Sequence, residues 1–276
     1  MRQQIPKGVK ALLIINGSML ALSWILKGAG INLIDILGLH YPKSPYFHYY
    51  QIFTHMFMHA GLLHLLFNMY ALWLFGSVLE RLWGTKRFIF YYLVTGFGAA
   101  LLHTAVTWYE IHKFVEAANY FIANPDLSTF LAIYKKYPEY FAMYQDKIRL
   151  LIESWQQSPD NVTYANMALP YIQNAIDLKM NIPIVGASGA VFGLLLAFGM
   201  LFPDVELYVM FIPVPIKAKY FVIGYGALEL INGLSNAPGD NIAHFAHLGG
   251  MIFGYLLIKI WDKTGKPRYG GWNKYN

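Results

Sequence analysis

Long stretches of the chain carry no Asp, Glu, Lys or Arg, and they predict helices that cross a membrane. A crossing helix needs about 20 predominantly apolar residues, because the hydrocarbon core of a bilayer is about 30 Å thick. The six predicted spans cover residues 11–26, 61–79, 88–109, 182–203, 220–234 and 241–258. Among them only the fifth contains an acid, Glu229. The pattern therefore predicts an all-α membrane protein built as a bundle of six transmembrane helices.

Composition supports a membrane protein and excludes several other classes. Hydrophobic residues make up 57% of the 276 residues and charged residues 13%, whereas soluble domains have about 45–50% and about 25%. A chain so rich in apolar residues is neither disordered nor collagen-like. Since the sequence has no cysteine, a disulfide-stapled scaffold, a thiol nucleophile and thiolate metal ligands are excluded. The net charge of +6 fits a cytoplasmic membrane face better than nucleic acid, so we expect no nucleic-acid partner.

The distribution of Lys and Arg predicts the orientation of the spans. Thirteen of the 21 basic residues lie at the two termini and in the second and fourth loops, which share one side of a six-span bundle. The short loops opposite contain only Lys27 and Lys43. Because cytoplasmic loops carry the excess of positive charge, we expect both termini in the cytoplasm. The chain would be a multi-pass protein of a bacterial cytoplasmic membrane.

A long segment between the third and fourth spans differs from the rest of the chain. Residues 99–185 contain no glycine, although the chain has 24, and residues 110–181 carry eight acids and six bases among many aromatics. Short amphipathic helices are expected there, for example over residues 147–155. Predicted breaks between them lie at Pro125, Pro138, Pro159 and Pro170. The predicted parts are residues 1–109 with spans one to three and the first outer loop, a helical extracytoplasmic insertion in 110–181, and 182–276 with spans four to six and a cytoplasmic tail.

Three predicted spans carry polar side chains at a similar depth. These are Ser188 at the start of the fourth span, His247 in the sixth, and His64 and Asn68 in the second. Polar groups inside a membrane are costly and are candidates for function by default. The three spans run in the same direction, so all four side chains lie within about 10 Å of the outer boundary at about 1.5 Å per residue. Structural alternatives stay open, because an isolated Ser can bond to its own helix and an isolated His or Asn can join two helices.

The neighbours of Ser188 and His247 favour a catalytic pair. Small residues, among them Gly186, flank Ser188 and would let a substrate backbone approach, and the N-terminus of its helix suits an oxyanion. Two pairs of glycines spaced four apart follow the polar residues: Gly189 with Gly193, and Gly250 with Gly254. Such pairs let membrane helices pack closely, as a Ser–His hydrogen bond of about 2.6–3.2 Å requires.

The remaining polar residues complete the predicted site. His64 and Asn68 are four residues apart and share one helix face, so both could donate to the oxygen that becomes negative when Ser188 attacks a carbonyl. We find no Asp or Glu placed to orient His247, so we expect a Ser–His dyad rather than a triad. Asp240 precedes the sixth span and is better explained as its N-cap.

Four blocks of sequence lie in order on the predicted spans. They are His55-x3-His59-x4-His64-x3-Asn68, Glu80-Arg81-x2-Gly84, Gly186-x-Ser188-Gly189 and Ala246-His247-Leu248-Gly249-Gly250-x3-Gly254. A lone Gly-x-Ser-Gly is weak evidence, but all four blocks on the right spans are specific. Together they resemble the rhomboid family of intramembrane serine proteases. The resemblance covers the six-span core and leaves out residues 110–181.

The resemblance implies a rhomboid fold and the hydrolysis of peptide bonds in substrates that are themselves membrane spans. It implies that Ser188 is the nucleophile and His247 the general base, with His64, Asn68 and the backbone N–H of Ser188 lining an oxyanion hole. Substrates would enter sideways near the fifth span, and the first loop, residues 28–54, would lie partly in the membrane.

Two further positions match the family. Phe192 falls one turn after Ser188, where the family commonly has an aromatic residue packed on the catalytic His; filling a helix interface is the alternative. His244 falls one turn before the catalytic His. We assign catalysis to His247 because Leu-Gly-Gly-x3-Gly follows it.

Other functions remain as alternatives. A catalytically silent relative, acting as a membrane chaperone or in quality control, would be expected to lack the Ser or the His. A transporter would show repeated halves and paired carboxylates; Glu229 is better satisfied by hydrogen bonds near the outer end of span five, with gating as the alternative. His55, His59 and His64 have metal-like spacing, but no His-Glu-x-x-His motif is present, so we expect no metal and no other cofactor. The expected partners are the lipid bilayer and membrane-protein substrates.

Overall fold

The computed structural model describes residues 4–208, 214–235 and 242–263. In chain order its α-helices are α1 (Lys7–Gly28), α2 (Leu33–Leu37), α3 (Gln51–Thr54), α4 (Leu62–Ala71), α5 (Ser77–Trp83), α6 (Thr85–Ala123), α7 (Leu127–Lys136), α8 (Gln145–Gln157), α9 (Val162–Asn181), α10 (Ser188–Leu201), α11 (Ala218–Ser235) and α12 (His244–Lys263). Short 3-10 segments follow α3 (His55–Phe57) and α7 (Pro138–Tyr144), and two-residue strands β1 (Glu206–Leu207) and β2 (Ile216–Lys217) pair antiparallel. The fold is all-α, as predicted.

Each predicted membrane span overlaps a helix. A π-helical turn, Leu72–Gly76, joins α4 and α5 into one rod. Among the described residues, three helical segments are both long and apolar enough to cross a bilayer: Lys7–Gly28, Leu62–Trp83 and Thr85–Ala123. Helix α10 is apolar but has 14 residues, or about 21 Å at about 1.5 Å per residue. The chain is an integral membrane protein, and the count of six spans stays a prediction.

Helix α10 begins later than hydropathy predicts. Residues 182–187 precede it as a non-helical connection, in which Ile184 exchanges two backbone hydrogen bonds of 2.9 and 3.0 Å with Leu39 of the first loop. Gly186 has φ +130°, which no α-helix contains. The expectation that Ser188 starts its helix is confirmed. The uncharged stretch begins earlier, at residue 182, because hydropathy does not distinguish an apolar non-helical segment from an apolar helix. Asp240, the predicted N-cap of the sixth span, lies outside the described residues.

Helix α10 lies at the centre of the bundle, packed against α6 and α12. Eleven of its 14 residues are buried, so it is apolar on all sides. A Cβ on Gly250 would lie 1.8 Å from the carbonyl oxygen of Gly189, and a Cβ on Gly189 would lie 3.3 Å from the carbonyl oxygen of Ala246 on α12. The second glycine of each pair faces α6: Gly193 lies against Thr95, and Gly254 against Tyr91. The two helices that carry Ser188 and His247 are therefore in backbone contact.

The buried side chain of Gln51 holds the first loop in shape. Its Nε2 donates to the carbonyl oxygens of Ile36 and Tyr46 at 3.1 and 2.9 Å, and its Oε1 accepts from the N–H of His48 at 3.1 Å. The N–H of His40 donates to the same Oε1 at 3.4 Å. One amide thus satisfies four backbone groups of a segment that has little regular structure. The position of this loop within the membrane stays a prediction.

The insertion is helical and has a hydrophobic core of its own. Helix α6 passes through Tyr109 and continues to Ala123, so the predicted boundary at residues 109/110 lies inside a helix. The amphipathic helix predicted over 147–155 is α8. Large buried side chains fill the core of the insertion, among them Phe114, Phe121, Phe130, Phe141 and Trp155. The segment therefore has a buried interior separate from that of the bundle.

Pro125 and Pro159 lie between helices, and Pro138 begins the 3-10 segment that follows α7, whereas Pro170 lies inside α9. A proline in a helix interior costs about 3 kcal/mol or more, because it lacks an N–H and collides with the carbonyl four residues earlier. On either side of it, Ala168 and Ile172 are buried in the insertion core. Packing outweighs the local preference, so the predicted break at Pro170 was wrong.

Candidate active site

Ser188 is the first residue of α10 and follows a turn at Gly186. The N–H of Gly186 donates to the carbonyl oxygen of His55 at 2.9 Å. Its φ of +130° is rare for any residue with a side chain, and a Cβ here would lie 2.9 Å from Cε1 of His64. Glycine therefore permits both the turn and the approach of His64. The turn places Ser188 at a helix N-terminus, where the first N–H groups have no acceptor within the helix.

Ser188 and His247 are hydrogen-bonded, with Oγ 2.9 Å from Nε2. His247 lies in the first turn of α12 and is buried. The ring of Phe192 is stacked on the imidazole, with centroids 4.1 Å apart and planes 5° apart. Phe192 thus packs on His247 and does more than fill a helix interface. The arrangement is that of a hydroxyl nucleophile with a base in hydrogen-bond reach.

A carboxylate contacts His247, contrary to the expectation from sequence. Oε2 of Glu229 lies 2.8 Å from Nδ1 of His247 and 2.6 Å from Nδ1 of His244. A carboxylate only accepts hydrogen bonds, so both Nδ1 atoms carry the proton, and Nε2 of His247 is left to accept from Ser188. The expectation that no Asp or Glu is placed to orient His247 was wrong. The expected hydrogen bonding of Glu229 is confirmed.

The contact escaped sequence reasoning because Glu229 and His247 are 18 residues apart and lie on different helices. Spacing within one helix relates residues three or four apart, and it says nothing of two helices that run side by side. A usable signal was present. A lone carboxylate in an otherwise uncharged stretch needs a donor, and His244 and His247 are the nearest polar groups on the following helix.

His64 lies beside Gly186 near Ser188, whereas Asn68 bonds to its own helix. Nε2 of His64 lies 3.0 Å from the point that a Cβ on Gly186 would occupy, and Oγ of Ser188 lies 3.6 Å from the same point. Nδ2 of Asn68 donates to the carbonyl oxygen of His64 at 2.9 Å. A side-chain amide has two N–H groups, so this bond leaves one for another acceptor. The roles of both residues in an oxyanion hole stay predictions.

The histidines with metal-like spacing make other contacts. Nδ1 of His55 lies 2.9 Å from the carbonyl oxygen of Gln51, and the rings of His59 and His64 meet edge to face with centroids 5.0 Å apart. In the described part of the chain, the group of ligand-type atoms that converges within 4.8 Å is Glu229 with His244 and His247. Two ligands of a tetrahedral zinc ion would lie about 3.3 Å apart, given bonds of about 2.0 Å. The observed 2.6 and 2.8 Å fit direct hydrogen bonds better.

A narrow cavity beside Ser188 is lined mostly by small residues, together with His55, Ile184 and Val185. Gly96, Ala99 and Ala100 of α6 border it, together with Ala243 and Ala246 at the start of the last helix. The cavity leaves space for a small apolar group next to the hydroxyl.

A family model described as the Rhomboid domain matches residues 46–112 and 163–262 of the chain. The matched segments together cover well over half of the 276 residues. They include the four polar residues of the site. The part between them, residues 113–162, lies inside the insertion.

Individual proteins are similar over parts of the chain. The rhomboid protease AarA of Providencia stuartii is 27% identical over 84% of this chain and 60% of its own length. The rhomboid protease GlpG of Yersinia pestis is 30% identical over 34% of this chain and 31% of its own length. The rhomboid protease GluP of Bacillus subtilis is 40% identical over 17% of this chain and 10% of its own length. The chain spans less than two thirds of the length of each of these relatives.

Proposed function

Because the chain belongs to the rhomboid family, we propose that it is an intramembrane serine protease that cleaves transmembrane protein substrates near the outer face of the membrane. The observation that carries this proposal is the 2.9 Å contact between Oγ of Ser188 and Nε2 of His247. It lies at the N-terminus of a helix buried in the centre of the bundle. A hydroxyl beside an imidazole base is the activated nucleophile of acyl transfer.

Ser188 is the nucleophile and His247 the general base. As Oγ attacks the carbonyl carbon of the scissile bond, its proton passes to Nε2 of His247, and the carbonyl oxygen becomes negative. His247 then donates this proton to the leaving amine, and the acyl group stays on Ser188. A water molecule gives a proton to the same nitrogen and attacks the ester. Release of the acid product returns that proton to Oγ.

The negative oxygen of the tetrahedral intermediate needs donors that are already in place. The backbone N–H of Ser188 is at the positive end of the α10 dipole. The closeness of His64 to Gly186 supports the imidazole as a second donor. Asn68 would use the N–H that is not bonded to the His64 carbonyl.

Substrates reach the site sideways, past α11. Three of its 18 residues are buried, namely Ala218, Val222 and Glu229. Apolar side chains of the same helix are widely exposed, including Ile223 at 68% and Leu234 at 70%. Such a surface suits contact with lipid or with another membrane helix. The small residues around the cavity beside Ser188 support a preference for a small side chain next to the scissile bond.

A catalytically silent chaperone or quality-control protein is the alternative function. It is disfavoured because a silent relative has no need to keep a nucleophile and a base in hydrogen-bond contact. The proposal also includes the topology expected from charge, with six spans, both termini in the cytoplasm and the insertion on the outer side of a bacterial cytoplasmic membrane. It requires neither a metal nor another cofactor.

Labelling of the purified full chain with a fluorophosphonate tests the proposal. We expect the label on Ser188, and we expect Ser188→Ala and His247→Ala each to lose both labelling and cleavage of a model single-span substrate. Ser77→Ala, which removes another buried hydroxyl, on α5, is the matched control and should retain both. Undiminished cleavage by Ser188→Ala, with contaminants excluded, would contradict the assignment. A folded wild type that neither labels nor cleaves would support the silent alternative.

A further inference from the structure

We propose that Glu229 is a positioning residue that completes a carboxylate–histidine–serine triad with His247 and Ser188. The inference rests on the proposed protease function. It adds to that function the group that selects the tautomer of the base and stabilises the charge the base acquires.

The geometry places Glu229 and Ser188 at opposite edges of one imidazole. Oε2 of Glu229 is 2.8 Å from Nδ1 of His247, and Nε2 of the same ring is 2.9 Å from Oγ of Ser188. The side chains of Glu229 and His247 are 6% and 11% exposed, so both contacts lie away from bulk solvent. Carboxylate, imidazole and hydroxyl thus form an unbroken chain of hydrogen bonds.

The burial of Glu229 is costly and therefore needs an explanation. Insertion of a carboxylate at the centre of a membrane helix costs about 3 kcal/mol of free energy. Both hydrogen-bond partners that Glu229 has in the structure are imidazoles of α12. A structural tie between two helices could be made with a neutral amide or hydroxyl. The negative charge of Glu229 would stabilise the imidazolium that forms on His247 during the reaction.

Stacking on Phe192 fixes the plane of the His247 ring but not the positions of its two nitrogens or of its proton. Its parallel stacking, with planes 5° apart, keeps the ring of His247 in one plane. A flip of the ring by 180° about its Cβ–Cγ bond, or a shift of the proton from Nδ1 to Nε2, would leave the stacking unchanged and remove the acceptor from Ser188. The bond to Glu229 prevents both, because only a protonated Nδ1 satisfies the carboxylate.

His244 holds the carboxylate in place. Its Nδ1 lies 2.6 Å from the same oxygen, and its ring is at 86° to that of His247. The two imidazoles, three residues apart on α12, therefore approach Oε2 from different directions. One oxygen that accepts from both has little freedom to turn away from His247.

Turnover of the full chain in liposomes distinguishes positioning from structural support. Loss of the orienting carboxylate of a serine protease lowers kcat by about 10⁴-fold. Since Phe192 still holds the ring plane, we expect Glu229→Gln to lower kcat by at least about 100-fold, with KM within about threefold of wild type. The rate of fluorophosphonate labelling should fall in parallel. Glu229→Asp, which keeps the charge, should recover part of kcat.

Glu80→Gln is the matched control for loss of a buried carboxylate. Glu80 accepts from the N–H groups of Gly8 and Val9 at 2.8 and 2.7 Å, at the start of α1 and away from the site. Glu80→Gln should lower the thermal stability of the protein and leave kcat of the folded fraction unchanged. A folded Glu229→Gln protein with kcat within threefold of wild type would overturn the triad and leave the protease function standing.

Two measurements on the wild type do not depend on a variant that folds. Nitrogen NMR of histidine-labelled protein, with His247 assigned by its loss in His247→Gln, should show Nδ1 protonated at neutral pH; a proton on Nε2 would overturn the proposal. Activity should survive a chelator. Loss with the chelator and recovery with Zn²⁺ would make Glu229, His244 and His247 metal ligands and refute the triad. A wild type that neither labels nor cleaves would refute the protease function and the triad with it.

Discussion

The ring of Phe192 lies parallel to the imidazole of His247, with centroids 4.1 Å apart. Phe192 is one turn after Ser188 on α10, so a single helix carries both the nucleophile and the side chain that holds the base in plane. The base itself belongs to α12. The active geometry therefore depends on how these two helices are packed.

We expect Phe192→Leu to lower kcat by about two- to tenfold, because an aromatic pair is worth about 0.5–1.5 kcal/mol beyond the area it buries. The control is Phe198→Leu, the same change on the same helix, at a buried residue that packs on Phe75 instead. It should lower stability and leave kcat of the folded protein unchanged. Equal kcat values for the two variants would show that stacking on His247 has no part in turnover.

The oxyanion donors are tested by alanine substitution of His64 and Asn68. Loss of such a donor costs about 10²–10³-fold in kcat. We expect this loss for His64→Ala, and a smaller one for Asn68→Ala because Nδ2 of Asn68 already donates to the His64 carbonyl. Steady-state kinetics should show the change in kcat rather than in KM.

Asn16 offers a matched control for Asn68. It is buried on α1, and its Nδ2 donates to the carbonyl oxygen of Leu12, four residues earlier, at 2.7 Å. Asn16→Ala thus removes the same kind of bond on α1, a helix that carries none of the four polar residues of the site. If Asn68→Ala and Asn16→Ala turn over substrate equally fast, Asn68 only supports its helix.

Packing of α12 on α10 is tested at Gly250. A Cβ there would lie 1.8 Å from the carbonyl oxygen of Gly189, a backbone atom that cannot move alone. Overpacking costs about 1–3 kcal/mol and occasionally more, so we expect Gly250→Ala to lower the free energy of unfolding by about 3 kcal/mol. Fluorophosphonate labelling should fall too, since α12 carries His247. Thermal unfolding measures the loss of stability, and fluorophosphonate labelling of the folded protein measures the reactivity of Ser188.

Gly224→Ala is the control for that experiment. No atom lies within 4 Å of a Cβ at Gly224, which is on α11. Replacing a helix-interior glycine by alanine favours the helix by up to about 1 kcal/mol. This variant should be as stable as wild type or more so. A Gly250→Ala protein with unchanged stability would mean that the two helices can separate without loss.

The features that sequence predicted are those that depend on local or repeated patterns. Uncharged stretches marked the helices of the bundle, and glycine spacing indicated the contact between the helices of Ser188 and His247. The turn at Gly186, by contrast, depends on a φ of +130°, and the pairing of Ile184 with Leu39 joins residues far apart in the chain. A hydropathy pattern predicts neither the turn nor the pairing.

The features that sequence missed depend on tertiary packing. Glu229 meets His247 only because α11 lies beside α12, and no spacing rule connects them. Pro170 stays within α9 because its neighbours are buried in the insertion core. In both cases the local sequence did not predict the observed structure, which depends on contacts with other helices.

Specific contacts join the insertion to the bundle and to the first loop. Nζ of Lys179 on α9 lies 3.0 Å from a carboxylate oxygen of Glu110 on α6. Oγ of Ser44 in the first loop donates to Oδ1 of Asn181 at 2.7 Å. Helix α9 ends at Asn181, and α10 begins at Ser188. A movement of the insertion would therefore displace Ser188 through the short connection between α9 and α10.

We expect replacement of residues 110–181 by a flexible linker to change which substrates are cleaved and to leave Ser188 reactive toward a fluorophosphonate. The reason is that the insertion has its own core, whereas His64, Ser188 and His247 are held by the bundle. Relative cleavage rates over substrates with one span and different outer segments measure the effect. Ser44→Ala removes the bond to Asn181 together with a local bond from the N–H of Tyr46 at 3.2 Å. It separates removal of the insertion from loosening of its attachment and should leave the ranking of substrates unchanged. Identical rankings for wild type and the linker variant would show that the insertion neither selects nor restricts substrates, and loss of labelling would show that it supports the fold of the site instead.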